Sequence, residues 1–419
     1  QFSFRDSVEP IYRELVDLLL DSNKSFKIEP DYLQQAISTV DSLQLAEMEN
    51  FFRCNLSQLV RVNQEISKKN LPAVFIYPII LRDKLVVIYQ LPGGKLEQHT
   101  EYISYKEVES TAKNLRNAIA NRRGITNYSQ EIYKWIMKPL FDEYLTSENE
   151  VETLVFVLDG YLRNIPVAAL WDEEGGKDKE GEYLIQKKYS LALLPGSQFF
   201  DLEDKSHNQS ILAVGIDTLN KNKEKQYYVE GKPFTAIDIS ELDKIGAKKK
   251  LINDKFTQSN LQKEIKTGKF SVVHIASHGN FSSNPEETYI VAYNSKDSRG
   301  KLLKAKDLDN LFQVSNQKDF GTIKLLVLSA CDTAGGDNRA ILGLAGLAVK
   351  AGARSTLSTL WRVEDNATTE LMERFYKEWK AKEVTKAEAL HRAQLALLEN
   401  PKTQHPYKWA PYILIGNWQ

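Results

Sequence analysis

The sequence predicts an α/β protein: a mainly parallel six-stranded sheet with helices on both faces, preceded by a smaller α/β region and an N-terminal helical segment. Three observations carry this. Six short apolar runs recur through the second half, "SILAVGID", "KKLIN", "FSVVHIASHG", "IKLLVLSACD", "ARSTLSTLW" and "WAPYILIG", with helical patterns between most of them. Strands that alternate with helices need crossover connections, which build a parallel sheet covered on both faces. Further upstream, "AVFIYPIILRDKLVVIYQLPGG" holds two β-branched and aromatic runs around a polar turn at Arg82-Asp83, the pattern of a strand pair. Before that pair, apolar residues recur at helical spacing.

In chain order, residues 5 to 68 read as helical, with Ile11, Leu15, Leu18 and Leu19 on one stripe and the same spacing through "DYLQQAISTVDSLQLAEMENFF". No 34-residue self-similarity runs through them, so they do not form a full helical repeat array. The strand pair starts after Pro72. Helices follow from about Tyr105 to Arg122 and over "QEIYKWIMKPLFDEYL"; then "TLVFVLDGYLRNIPVAALWD" supplies a buried strand, a turn at Asp159-Gly160 and a small-residue packing segment. The expected division is a helical lead-in over 1–69, a smaller α/β region over 70–205 that reads as a degenerate counterpart, and the catalytic sheet over 206–419.

Composition bounds the function. The chain has 419 residues, a formal net charge of −1, 42% hydrophobic and 26% charged residues, an ordinary globular balance able to bury a core and to split into two or three domains. Near-neutrality gives no reason to expect nucleic acid, and the lysines of 221–225 and 248–250 read as solvated loop faces. No apolar run reaches the length of a membrane span. With two cysteines and no signal-peptide pattern, the expected home is a reducing cytoplasm. Gln1 in place of Met leads us to expect a processed or excised piece.

In open parallel sheets ligands sit beyond the carboxyl ends of the strands, and two of those ends carry chemistry. "SVVHIASHGN" reaches His278-Gly279, and "IKLLVLSAC" ends at Cys331. Imidazole takes a proton near neutral pH, and a partner imidazole is a common way to populate a nucleophilic thiolate. The two lie 331 − 278 = 53 residues apart, about the histidine-to-nucleophile interval of caspases. Taken alone, Cys331 reads more readily as a small buried hydrophobe; its flanking motif reverses that preference. Cys54 has only the packing reading.

His274 and His278 are four apart, but on a strand that interval spans roughly 13 Å and cannot share one metal; His274 reads as a packed residue behind the site. His99, His207, His391 and His405 have no evident partner. The glycine-bearing "AGGDNRAILGLAG" lacks the Gly-Lys-Ser/Thr ending of a phosphate loop. It reads as a mobile loop over the cleft and then a helix from Ile341 to Lys350. No cofactor and no metal are expected.

The runs "VVHIASHG", "LVLSACDTAGG", "LGLAGLAVKAGARSTLSTLWRVEDNATTELMERFY" and "AQLALLENPKTQHPYKWAPYILIGNW", with "YLRNIPVAALWD" and "YLIQKKYSLALLPG" upstream, resemble the CHAT domain, a bacterial caspase-like and separase-like peptidase family. The resemblance covers roughly residues 130 to 419. It implies a caspase-like fold and a His278–Cys331 dyad. Cys331 sulfur would attack the scissile carbonyl, and His278 would protonate the leaving amine and then activate the water that clears the thioester. The backbone N–H groups of Gly279 and Cys331 would form the oxyanion hole, glycine letting the main chain approach the substrate closely.

By the same resemblance Ser329, Thr359, Leu360 and Trp361 line the substrate side-chain pocket. Asp332 and Asp365 stand near enough in sequence to favour a basic substrate residue, although "VEDNATTELM" also reads as a helix start capped by Asp365 or Asn366. Arg339 is a candidate self-cleavage point. Family members often follow tetratricopeptide repeats, so residues 1–69 would be the tail of such an array or a bridge from it. The implied partners are a protein or peptide substrate and a regulatory protein or upstream repeat domain that gates activity. The competing readings are a protease-like module that only binds partners and an acyl hydrolase acting on small thioesters.

Overall fold

The computed structural model describes residues 4–21, 30–52, 71–145, 150–176, 180–196, 209–216, 227–229, 232–234, 239–282, 284, 286–294, 299–312, 323–333, 341–345, 352–381 and 383–419. The chain forms two compact units, Gln1–Phe200 and Asp201–Gln419.

The first unit opens with helices α1 (Phe4–Ser7), α2 (Glu9–Leu19) and α3 (Pro30–Phe52); residues 53–68 of the expected helical segment lie outside the described residues. Strands β1 (Ala73–Ile80) and β2 (Leu85–Gln90) form the expected hairpin about Arg82-Asp83. Both are buried along their whole length, which explains why they read as continuous apolar runs rather than as alternation. β3 (Leu96–Glu101), polar and half-buried, adds to β2 as an antiparallel edge that the sequence reading passed over.

Helix α4 (Tyr105–Ala120) begins at Ser104, whose hydroxyl accepts the N–H of Glu107, and buries Val108, Ala112, Leu115 and Ile119 along one stripe. Helix α5 (Thr126–Ile136) follows, then β4 (Thr153–Phe156), the short pair β5 (Trp171–Asp172) and β6 (Glu182–Tyr183), and β7 (Ser190–Leu193). β7, β4 and β1 run parallel, in that order. The turn after β4 needs Gly160: its φ is +52°, and a Cβ there would stand 3.0 Å from Ile80 Cδ1.

The second unit contains β8 (Ile211–Gly215), the pair β9 (Tyr227–Val229) and β10 (Lys232–Phe234), α6 (Glu241–Lys244), β11 (Lys249–Ile252), α7 (Gln258–Lys266), β12 (Val272–Phe281), β13 (Tyr289–Asn294), β14 (Arg299–Lys304), α8 (Ala305–Phe312) and β15 (Leu325–Thr333). Then come α9 (341–345), β16 (Ser355–Thr359), α10 (Asp365–Trp379), α11 (Lys386–Glu399), α12 (Pro406–Trp409) and β17 (Tyr412–Gly416).

All six apolar runs of the sequence become strands, in the spatial order β11-β8-β12-β15-β16-β17. The first five run parallel and β17 is antiparallel to β16. The hairpin of β13 and β14, which the sequence reading did not anticipate, pairs with the far end of β12. The core of this unit includes Val273, Ile275, Leu326, Leu328, Leu371, Phe375 and Trp409, all buried.

Candidate functional site

Two neighbouring parallel strands carry the expected chemistry. β12 and β15 pair in regular register from Val272–Leu325 to Ala276–Ser329, and pairing resumes at Gly279–Cys331, Asn280–Asp332 and Phe281–Thr333. Between those stretches β12 advances three residues while β15 advances two, so Ser277 and His278 stand opposite Ala330. This is a β-bulge, which leaves the extra residue out of the ladder, bends the strand and re-aims its side chains. His278 therefore sits at the one irregular step of an otherwise regular strand pair.

Directly after the bulge, the main chain of Gly279 runs beside that of Cys331 at the ordinary strand spacing of about 4.8 Å. Ser277 fastens the bulge from the other side, donating its buried hydroxyl to the Val291 carbonyl at 2.6 Å. Beyond it, the tip pairs with β13 through Gly279–Ile290 and Asn280–Tyr289. His278, Gly279 and Asn280 are half-buried. The side chains of Cys331 and Asp332, the loop 334–340 with Arg339, and residues 346–350 of the expected helix lie outside the described residues.

Behind the bulge lies a polar cluster that sequence reasoning found only in part. His274 has no exposed surface. Its Nε2 stands 3.1 Å from both Glu241 Oε1 and Ser329 Oγ, and its Nδ1 stands 3.1 Å from the Tyr376 hydroxyl. Ser329 donates its hydroxyl to Glu241 Oε1 in a short bond. Burial pushes the Tyr376 hydroxyl well above the usual tyrosine range, and the charge of Glu241 adds to that, so it is a protonated phenol throughout the physiological range. A carboxylate only accepts, so an N–H on His274 Nε2 and the hydroxyl of Ser329 are the donors that satisfy Glu241. His274 announced itself by its place in "VVHIASHG"; Glu241 and Tyr376 carried no signal, because their part is set by tertiary packing from α6 and α10.

The expected pocket residues stand at the ends of β15 and β16. β16 lies next to β15, with Leu328 paired to Ser358. Ser329 is buried and its hydroxyl is committed to Glu241 and His274. Thr359 pairs with Tyr412, and the N–H of Leu360 donates to the Pro411 carbonyl at 2.9 Å. Trp361 donates its indole N–H to the Tyr407 carbonyl at 3.2 Å and stacks on the Tyr407 ring. All three are buried. Asp365 is the first residue of α10, whose N-cap is Glu364 rather than Asp365 or Asn366. There its carboxylate lies in the first turn, where the helix dipole favours negative charge. Among the described residues no group of His, Cys, Asp and Glu is arranged to hold a metal ion, and no helix is long and apolar enough to cross a membrane.

A mainly parallel sheet flanked by helices, with a histidine bulge beside a cysteine on the adjacent strand tip, defines the protease-like α/β modules of the caspase type. A family model, the CHAT domain, matches residues 126–417; the chain belongs to the CHAT domain family. Among solved structures, the Saccharomyces cerevisiae separase–securin complex at 3.0 Å resolution overlays with a TM-score of 0.57 and 10% identity, covering 97% of this chain and 36% of that one. A second structure of that complex, at 2.6 Å, gives a TM-score of 0.54 with the same coverage and identity. The Arg-specific cysteine proteinase gingipain R overlays more loosely, with a TM-score of 0.39 and 13% identity over 75% of this chain and 74% of that one. No curated protein sequence matches. At such identities the likeness establishes a shared caspase-like fold, and the chain spans about a third of the separase chain it matches.

Proposed function

We propose that the protein is a cysteine endopeptidase that hydrolyses peptide bonds of a protein substrate with His278 and Cys331 as its dyad. The observation that carries the reading is the register: one bulge, at His278, followed at once by the pairing of Gly279 with Cys331. A thiolate at residue 331 attacks the scissile carbonyl carbon, forming the C–S bond. The developing oxyanion is held by the backbone N–H groups of Gly279 and Cys331, each such donor supporting about 3 kcal/mol of barrier lowering. His278 delivers a proton to the leaving amine as the C–N bond breaks, then takes one from the water that cleaves the thioester. Asp332, Thr359, Leu360, Trp361 and Asp365 belong to the substrate side of this site.

Gating by a protein partner or an upstream domain fits the same reading. The separase it resembles in fold was solved in complex with securin, and a buried Thr359-Leu360-Trp361 segment must open before it can line a pocket.

The test is covalent. A thiol-directed peptide electrophile should label Cys331 in preference to Cys54, and His278→Ala should abolish that labelling. Comparison of new protein termini in cells carrying wild type and Cys331→Ala should then show cleavages that only the wild type makes. Equal labelling of both cysteines, indifferent to His278→Ala, sinks the peptidase reading and favours a module that only binds partners.

A further inference from the structure

The cluster behind the bulge is expensive for a strand core. A buried position on a parallel strand is most cheaply filled by a β-branched aliphatic residue, and a buried carboxylate or imidazole survives there only when its hydrogen bonds are made. Here four elements contribute one polar group each: Glu241 from α6, His274 from β12, Ser329 from β15 and Tyr376 from α10. All four residues are at most 2% exposed. Apolar packing tolerates sliding, whereas a directional hydrogen-bond network admits one register.

The place where register matters is adjacent. His274 pairs in the ladder with Val327, so its bond to Ser329 runs diagonally, two residues forward along β15, and lands on the last regular pair before the bulge. The next pair is Gly279 with Cys331. A bulge interrupts the ladder and is where pairing can shift by one residue. A shift of one residue there would set Gly279 beside Ala330 or Asp332 and carry His278 with it. Ser277, bonded to Val291, holds the far side of the bulge; the Glu241–His274–Ser329 cluster holds the near side.

We infer that His274 and Glu241 are positioning residues for the thiolate site: through Ser329 they clamp β12 to β15 on the near side of the bulge and so fix the step at which Cys331 faces Gly279 and His278. This rests on the peptidase reading above, because it gives the clamp its purpose. Tyr376 completes the cluster from α10 by satisfying the second ring nitrogen of His274.

The test uses the full chain with Cys54→Ser, leaving residue 331 as the only thiol, and follows its alkylation by iodoacetamide between about pH 5 and pH 10, where cysteine thiols ionise. In the parent the midpoint is expected below the free-cysteine value of about 8.5 and to rise in His278→Ala. In Ser329→Ala and Glu241→Gln the midpoint is expected to move up towards the free value, with the rate at pH 7 falling about 10-fold or more, as misplacement of a reacting pair produces. Ser329→Thr, which keeps the hydroxyl, is expected to recover most of that rate. Thermal melts and near-ultraviolet circular dichroism establish folding; should Ser329→Ala not fold, the isosteric Glu241→Gln carries the test.

Variants that lower the melting temperature while leaving the parent pH profile unchanged overturn the inference, since the cluster is then only structural. A parent profile that already has the free-cysteine midpoint and ignores His278→Ala overturns the peptidase reading, and the clamp falls with it.

Discussion

The two units each bury a carboxylate close to the carboxyl ends of parallel strands, and they satisfy it by opposite means. In the first unit Asp159, just beyond β4, accepts from Arg13 of α2 at 2.7 and 3.1 Å and from the Ile80 N–H at 3.0 Å, with Arg163 at 3.7 Å. Arg163 in turn meets Glu47 of α3 at 3.0 Å. Two guanidiniums balance two carboxylates, so the cluster is charged at every physiological pH and neutral in sum. In the second unit Glu241 is held by a histidine and a serine, with no fixed cation among these partners. The first arrangement locks helices α2 and α3 to strand ends for good; the second leaves a titratable group under the strand tips that carry His278 and Cys331. A fold can close a strand-end cleft with permanent charge, or keep it responsive by doing without.

The most forceful way to break this comparison is to remove the first unit's anion. Asp159→Ala leaves Arg163, 4% exposed at its side chain, without one of its two carboxylates, and frees Arg13 from its bidentate partner. Breaking a buried pair from one side costs about 3–5 kcal/mol, so urea unfolding should shift by that amount. Ser329→Ala in the second unit removes one neutral donor from a buried carboxylate and should cost about 1–3 kcal/mol. Equal losses at the two sites would show that fixed charge confers no special rigidity on the first.

Acid separates the two clusters next. Burial by itself pushes the Asp159 carboxyl up, but Arg13, then Arg163 and the Ile80 N–H, bring it below the usual aspartate value. A folded value below the unfolded one means that the contribution is complete above the unfolded value of about 3.9 and disappears as pH falls through the folded value. Asp172, which burial raises but Lys187 and Tyr133 lower more, has the same sign. Stability of the first unit should therefore hold down to about pH 4 and decline below it, and Asp159→Asn should remove most of that decline. A variant that keeps the full slope would place the acid-labile group elsewhere.

What could be read from the chain, and what could not, follows the same division. The six strand runs were legible because strands buried on both faces are apolar without interruption, and the hairpin about Arg82-Asp83 because a polar turn splits two such runs. His278, Gly279 and Cys331 were legible because each ends or follows one of those runs. The bulge was not, since register belongs to a strand pair and "VVHIASHG" gives no sign of which β15 residues it will meet. The partners of His274 were equally hidden: Glu241 is 33 residues away and Tyr376 is 102. Arg13 and Asp159 are separated by 146. Composition records such charges but not whom they meet. The polar edge β3 and the hairpin of β13 and β14 were missed for a milder reason, as half-buried strands dilute the apolar signal.

The smallest expected effect sharpens the contrast by supplying a control common to both units. Ser104 caps α4 by accepting the Glu107 N–H at 3.3 Å, and Thr385 caps α11 by accepting the Glu388 N–H at 3.1 Å. Both have the extended backbone of an N-cap. Each hydroxyl satisfies one of the N–H groups that a helix start leaves unpaired. Ser104→Ala and Thr385→Ala should each cost about 1 kcal/mol, independent of which unit carries the change. Thr385 has the shorter bond and α11 buries His391, Ala393 and Leu397 along its length, so any difference should place the larger loss there. If the caps cost the same while the clusters do not, the difference between the units lies in how buried charge is paired and not in a general softness of one of them. A loss at Ser104 several times that at Thr385 would reverse this, making the first unit the less stable body in which every local change is amplified.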